Sequence, residues 1–178
     1  VLAVKIDPEV VDPEEVDMLE DLVLAAVNQA MENAKKRSDE EMSKITGGCL
    51  CGSIRYESDV EPQMVVACHC STCQKNTGSA FSLNLAMPED QVTIQGDTLG
   101  TYEESSRHES KPFYRSFCTR CGSPISGRGE AYPGVVFLKA GTLDDPSWVK
   151  PGAHMWCDEK QPWFSIEEDV AQFAQAPE

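Results

Sequence analysis

The sequence contains no long hydrophobic run and carries little positive charge. No 18-residue apolar stretch occurs, so we expect no membrane-spanning helix and no membrane association. Fifteen Lys and Arg residues stand against 30 Asp and Glu residues, for a formal net charge of −15. Nucleic acid is therefore an improbable partner, because its binding depends on cationic neutralisation of phosphates. The opening residues also lack the charged-then-apolar pattern of a secretory signal, so we expect a cytoplasmic protein.

Cysteine is absent from the first 46 residues, which have a mainly helical pattern. The alternation of apolar residues over 2–6 predicts a short strand that Pro8 ends. Asp12-Pro13 then predicts a helix start, because proline suits the first helical position. We expect a long helix from about Pro13 to about Lys44, with Gly47-Gly48 as its stop. Residues 1–46 are therefore predicted to be a strand–helix extension, separate from a domain over 47–178.

The pattern after Gly48 changes to short apolar segments separated by Gly, Pro, Asn and Asp. Segments of this length and spacing predict a mainly β domain. The expected strands lie at residues 52–58, 63–68, 80–87, 91–95, 99–103, 112–117, 123–127 and 134–140. A short helical turn is also expected near residues 71–76.

Eight cysteines are present, and seven of them lie in three short clusters. These clusters are Cys49-Leu50-Cys51-Gly52, Cys68-His69-Cys70-Ser71-Thr72-Cys73 and Cys118-Thr119-Arg120-Cys121-Gly122. The alternative to metal binding is a disulfide framework. Spacings of C-x-C and C-x-x-C suit chelation better than cross-linking, and cytosolic thiols stay reduced. We therefore interpret the clusters as metal ligands.

Seven cysteines divide naturally into four and three. Structural zinc takes four ligands in a tetrahedron, whereas catalytic zinc keeps three protein ligands and one open position. We assign the two separated pairs to a closed structural site formed by Cys49, Cys51, Cys118 and Cys121. The compact run offers three thiolates from six residues and predicts a second, open zinc site formed by Cys68, Cys70 and Cys73. Two alternatives are that both sites are structural or that the open site is redox-sensitive.

Two further residues near these clusters are candidates for minor roles. His69 lies between two ligands, and neighbouring side chains of an extended segment point in opposite directions. We therefore expect His69 to point away from the metal, either supporting a ligand or serving as a plain loop residue. Cys157 is expected to be a free thiol, with a role as a fourth ligand as the alternative.

Four motifs together are typical of one protein family. They are residues 47–56 around the first cysteine pair, residues 68–75, residues 117–124, and His154-Met155-Trp156 with Pro162-Trp163. In these motifs the chain resembles the glutathione-dependent formaldehyde-activating enzyme family, which also contains centromere protein V. The resemblance covers about residues 47–165.

This resemblance implies a fold, a cofactor and an activity. The fold would be an Mss4-like (β-tent) domain of twisted antiparallel sheets with two zinc sites. The activity would be a carbon–sulfur lyase reaction, the condensation of formaldehyde with glutathione, with Cys68, Cys70 and Cys73 as the catalytic residues. A glutathione site needs cations for two carboxylates, and the candidates are Lys75, Arg107, Lys111, Arg115 and Arg128.

The first 46 or so residues resemble a different family. Val4-Lys5-Ile6-Asp7-Pro8, residues 18–30 and residues 42–48 are similar to the C-terminal half of the YbaB-type nucleoid-associated proteins, which are small dimeric DNA-binding proteins. Residues 1–48 carry a net charge of −7, so we do not transfer DNA binding to this chain. We instead expect the apolar face of the helix to need a partner, with a homo-oligomer as one hypothesis.

The sequence thus favours a zinc-dependent carbon–sulfur lyase-like enzyme acting on the adduct of glutathione, or another thiol, with formaldehyde or a related small aldehyde. The alternative is a non-catalytic, zinc-stabilised binding module. A weaker alternative is a DNA-associated dimer formed through the N-terminal helix.

Overall fold

The computed structural model describes residues 16–42, 44–105 and 111–176. The chain divides into two compact units, of which the first ends at Ser43 and the second spans Lys44–Glu178. In the first unit the described element is a long helix, α1, over Val16–Met42. The strand predicted over residues 2–6 lies outside the described residues. Neither described α-helix is long and apolar enough to cross a membrane.

The second unit is built almost entirely of short strands, with one helix, α2, over Ser71–Thr77. The strands are β1 Ile45–Gly48, β2 Arg55–Ser58, β3 Met64–Cys68, β4 Ser82–Pro88, β5 Thr93–Gln95, β6 Leu99–Glu104, β7 Phe113–Cys118, β8 Pro124–Gly129, β9 Val135–Lys139, β10 Ala153–Met155 and β11 Ala171–Gln172. The predicted class, a mainly β domain preceded by a long helix, is confirmed.

These strands form two sheets. The smaller sheet has the order β1-β2-β5, and the larger has the order β11-β10-β3-β4-β9-β8-β7-β6. Almost all pairings are antiparallel, but β10 runs parallel to both β3 and β11. The prediction of antiparallel sheets therefore fails at this edge. A long connection separates β3 from β10, and parallel pairing needs such a connection.

Gly47-Gly48 does not end the helix as predicted, because both glycines belong to β1. Their small size is needed there for close packing. A Cβ atom on Gly47 would lie 2.3 Å from the Tyr56 hydroxyl oxygen and 2.4 Å from the Thr142 carbonyl oxygen. Strand β1 can therefore approach β2 and the turn at Thr142 only where it lacks side chains.

The two faces of the larger sheet have different surroundings. Side chains alternate along a strand, so Val136 and Leu138 of β9 point to one face, and Phe137 and Lys139 point to the other. The first face packs with Ile54 and Tyr56 in the hydrophobic core, together with the smaller sheet. The second face lines a cavity next to α2. The fold thus places the core and the cavity on opposite sides of one sheet.

Candidate metal centres

The four cysteines of the first predicted site converge from two distant parts of the chain. The Sγ atoms of Cys49, Cys51, Cys118 and Cys121 all lie within 4.8 Å of one another. The Cys49 and Cys51 sulfurs are 3.5 Å apart, and the Cys51 and Cys118 sulfurs are 3.8 Å apart. Cys49 and Cys118 belong to the hydrophobic core, whereas Cys51 is exposed. This cluster therefore fastens one edge of the core.

Each cysteine pair of this cluster lies on a tight turn that a glycine completes. The Gly52 N–H donates to the Cys49 carbonyl, and the Gly122 N–H donates to the Cys118 carbonyl. Both glycines have a φ of 75°, a left-handed conformation that favours glycine over other residues. The turns bend the chain behind the sulfurs and bring both members of each pair to the same point.

Hydrogen bonds to the sulfurs favour the thiolate form that metal binding needs. Thr98 and Ser53 hydroxyls contact the Cys118 sulfur and lower its pKa to about 5. Burial opposes ionisation of Cys49, but the Ile54 N–H and the Ser53 hydroxyl outweigh it and lower the pKa to about 7. Backbone and hydroxyl donors therefore favour the thiolate form at these two cysteines of the cluster.

The three cysteines of the second predicted site form a separate group at the end of β3 and the start of α2. The Sγ atoms of Cys68, Cys70 and Cys73 lie within 4.8 Å of one another, and those of Cys68 and Cys70 are 3.5 Å apart. Cys70 is the N-cap of α2, and its sulfur accepts the Cys73 N–H. Hydrogen bonds from Cys68 and Cys70 lower the pKa of Cys73 and make it the most acidic of the three.

This group borders a cavity of about 90 Å³. The lining is largely apolar and includes Val66, Phe113, Phe137 and Met155. Trp156 also lines the cavity, and it has a φ of 60°, which is rare for a side chain of this size. A cavity beside three sulfurs, with a largely apolar lining and a few polar groups, is typical of a small-ligand site.

Three charged side chains line the same cavity, and sequence analysis singled out only one of them, Arg115. The buried Arg115 donates through Nε to the carboxylate of buried Glu104. Lys139, 6% exposed, donates through Nζ to Ser82 Oγ and Asn84 Oδ1, each at 2.8 Å. Lys139 ends an otherwise apolar strand, a position at which a lysine is ordinarily exposed. The sequence could not predict this burial, because it depends on which face of the larger sheet lines the cavity.

The C-terminal part of the unit holds the three-cysteine loop in place. The Ser71 N–H donates to Glu159 Oε2 at 2.6 Å. The Gln74 side chain donates to the His69 carbonyl at 2.6 Å and to the Glu159 carbonyl at 2.9 Å. Gln161 donates in turn to Gln74 Oε1. Apart from the contact between Gln74 and His69, these contacts are not apparent in sequence, because the partners lie more than 80 residues apart along the chain.

His69 and Cys157 join neither cysteine group within the described residues. His69 Nε2 lies 2.8 Å from His154 Nδ1, and the His69 ring packs against Phe81 and Phe164. Burial lowers the pKa of His69 to about 4. The side chain thus points away from the sulfurs, as expected. Cys157 is a half-buried free thiol that donates to the His154 carbonyl.

The predicted carboxylate-binding cations separate into distinct positions. Lys75 and Arg115 line a cleft of about 400 Å³ that shares Thr72 and Glu104 with the cavity. Arg128 instead pairs with Glu89 at 2.7 Å. Lys111 is exposed and lines neither the cavity nor the cleft, and Arg107 lies outside the described residues.

Both cysteine groups fit a zinc ion. Zn–S bonds of about 2.3 Å in a tetrahedron place sulfurs roughly 3.8 Å apart. The measured separations of 3.5 and 3.8 Å agree with this value. The donor set is also suitable, because thiolates in groups of four and three are typical of structural and open zinc sites. The division of the seven cysteines predicted from sequence is the division that the structure contains.

Comparison with known proteins gives two separate similarities. Residues 44–159 match the model of the glutathione-dependent formaldehyde-activating enzyme family. A protein from Halomonas elongata, provisionally described as such an enzyme, is 27% identical over 127 residues, covering 69% of this chain and 81% of the relative. A crystal structure of a Rhodobacter sphaeroides protein also matches. The matched region is 60% of this chain and 91% of that protein's chain, with 18% identity and a TM-score of 0.44.

The N-terminal residues 1–49 match the YbaB/EbfC DNA-binding family. A nucleoid-associated protein from Clostridium kluyveri is 58% identical over 48 residues, and one from Alkaliphilus metalliredigens is 56% identical over the same length. The matched region is 27% of this chain and spans only 42% of each relative. Both resemblances predicted from the sequence are thereby confirmed.

Proposed function

The chain belongs to the glutathione-dependent formaldehyde-activating enzyme family through residues 44–159, and from this premise we propose that it is a zinc-dependent carbon–sulfur lyase. Its substrate would be the adduct of a thiol, such as glutathione, with formaldehyde or a related small aldehyde. One observation carries the proposal: three cysteine sulfurs converge beside a largely apolar cavity of about 90 Å³.

Cys68, Cys70 and Cys73 would hold the zinc ion, which when bound lowers the pKa of a coordinated thiol and polarises a carbonyl. In the synthetic direction the substrate sulfur adds to the aldehyde carbon, and the thiol proton ends on the aldehyde oxygen. The lyase direction breaks the same carbon–sulfur bond. The remaining cysteine group, Cys49, Cys51, Cys118 and Cys121, would hold a structural zinc.

The chain's own residues shape and orient the site. Val66, Phe137 and Met155 supply an apolar wall that limits water beside the sulfurs. Gln74 and Glu159 fix the cysteine loop through three hydrogen bonds. Glu159 accepts from the Ser71 N–H, and Gln74 donates to the carbonyls of His69 and Glu159. A fixed loop matters because catalysis depends on reactants held in the correct geometry.

The adjoining cleft is suited to the anionic part of the thiol substrate. Lys75, Asn76 and Arg115 line it. We propose that these side chains receive substrate carboxylates, although Arg115 already pairs with Glu104. With Arg115 paired to Glu104, Lys75 leaves the described lining of the cleft with one net positive charge, which favours an anion there.

Replacement of one thiolate tests the proposal. Cys70→Ser keeps a side chain able to cap α2, because serine is a good N-cap, but removes a sulfur ligand. We expect wild type to contain two zinc ions and to accelerate formation of S-(hydroxymethyl)glutathione, measured by exchange NMR. Cys70→Ser should lose one zinc and the acceleration.

Cys157→Ser is the matched control, because Cys157 belongs to neither group. It should retain both metals and full activity. A wild-type protein that accelerates nothing, and whose zinc environment glutathione leaves unchanged, would favour the alternative of a non-catalytic zinc-stabilised module.

The role of residues 1–46 stays a prediction. Their relatives' printed descriptions name a nucleoid-associated protein, but this chain spans under half of those relatives. Apolar side chains of α1, including Leu22, Leu24 and Met31, are exposed. This exposure supports homo-oligomerisation more than DNA binding, since apolar faces favour protein contacts and residues 1–48 are acidic.

A further inference from the structure

Lys139 is a buried lysine, and no carboxylate among the described residues is paired with it. Its Nζ donates to Ser82 Oγ and Asn84 Oδ1, and both acceptors are neutral. The Asn84 amide group donates to the Ser82 carbonyl at 2.8 Å, which leaves Asn84 Oδ1 free to accept. Burying an ammonium group costs several kcal/mol unless an opposite charge lies nearby. The question is therefore which negative charge compensates Lys139.

The other charged residues of the cavity compensate each other. Arg115 and Glu104, both buried, form an ion pair and contribute no net charge. Among the described residues that line the cavity, Lys139 then supplies a net charge of +1. The thiols of Cys68, Cys70 and Cys73 line the same cavity, and they form thiolates when they bind a metal. Thiolates of this cysteine group can therefore supply the negative charge that offsets Lys139.

The charges balance when a divalent metal occupies the group. Three thiolates and one Zn²⁺ carry a net charge of −1, which Lys139 reduces to zero. The four-cysteine group has no equivalent need, because Cys51 is exposed and water screens its charge.

We propose that Lys139 is a positioning residue of the three-cysteine centre: its ammonium group, held by Ser82 and Asn84, compensates the single negative charge of the metal-loaded thiolates. A neutral centre can then accept an anionic thiolate at its open position without like-charge repulsion. This inference rests on the proposed zinc at Cys68, Cys70 and Cys73. The inference goes beyond that zinc site by assigning a role to a residue that is not one of its ligands.

Cobalt titration of the metal-free full chain tests the inference without an activity assay. Cobalt in thiolate sites absorbs visibly, and Cys70→Ser supplies the reference spectrum of the four-cysteine group alone. Wild type should bind two equivalents. Lys139→Met should bind the first normally and the second about 10- to 100-fold more weakly, the usual effect of removing a group that supports metal ligands.

Two further variants separate charge from packing. Lys139→Arg restores the charge and should recover most of the lost affinity. Lys150→Met makes the same chemical change at an exposed position and should titrate like wild type. Wild-type binding of the second equivalent by Lys139→Met would overturn the inference, and so would an arginine variant as weak as the methionine variant.

Other outcomes are also decisive. Loss of both equivalents in Lys139→Met would assign Lys139 to folding rather than to this centre, and would overturn the inference. Binding of a single equivalent by wild type would instead overturn the proposed function, and the inference with it. The two failures therefore give different titration curves.

Discussion

The two cysteine groups should contribute unequally to stability, and a pair of matched substitutions measures the difference. Cys118→Ser removes a ligand of the group that joins distant segments, because Cys51 and Cys118 are 67 residues apart. Cys70→Ser removes a ligand of a group whose members lie within six residues of each other. Both changes replace sulfur by oxygen, and in each case a zinc ion bound only by the folded chain is lost.

The magnitude follows from the loops that the metals close. Loop-closure entropy grows as (3/2)RT ln n, so releasing a 67-residue loop rather than a five-residue one costs about 2 kcal/mol more. About 1 kcal/mol shifts the Tm of a domain of this size by roughly 4 °C. We therefore expect Cys118→Ser to lower the Tm by about 8 °C more than Cys70→Ser does.

Differential scanning calorimetry of both variants, with zinc content measured on the same samples, checks this difference. The zinc measurement matters because each variant should lose a single metal. Cys70→Ser should keep its β-sheet circular dichroism, since serine still accepts the Cys73 N–H at the start of α2. Equal Tm losses, or a larger loss in Cys70→Ser, would refute the assignment of the four-cysteine group as the structural one.

Two predictions concern packing in the β unit. Gly47→Ala should destabilise the protein by about 1–3 kcal/mol, because its Cβ would overlap Tyr56 and the Thr142 carbonyl. In Gly141→Ala the new Cβ meets nothing within 4 Å, so this control should be nearly neutral. Urea unfolding compares the two variants, and equal unfolding midpoints would contradict the close-approach argument. Leu138→Ala, at a fully buried position, should cost about 2–5 kcal/mol, against less than about 0.5 kcal/mol for Leu50→Ala, which is 89% exposed. Similar losses for the two leucines would place the core elsewhere.

The sequence by itself determined most of the local structure of this protein. Eight predicted strands between residues 52 and 140 correspond to β2–β9, and the turn expected near 71–76 is α2. Such segments are predictable because alternating apolar residues and turn formers act over a few neighbouring positions. Ligand number and spacing likewise divided the seven cysteines correctly, because zinc coordination restricts the combinations that can form a site.

The tertiary structure alone decided the features that depend on distant partners. Strands β10 and β11 have only three and two residues, and they form by pairing at the edge next to β3 rather than from a local pattern. Gly47-Gly48 has the local character of a helix stop, yet close approach to Tyr56 places it in a strand.

Lys139 is the clearest case, because the end of an apolar strand normally exposes a lysine. Its burial beside the three-cysteine group follows from which face of the larger sheet meets the core and which meets the cavity. Side-chain alternation along β9 puts Lys139 and Leu138 on opposite faces of the sheet. Only the tertiary packing decides that one face meets the smaller sheet and the other meets the cavity beside α2. Local spacing thus specified how the cysteines group together, and long-range packing placed Lys139 beside three of them.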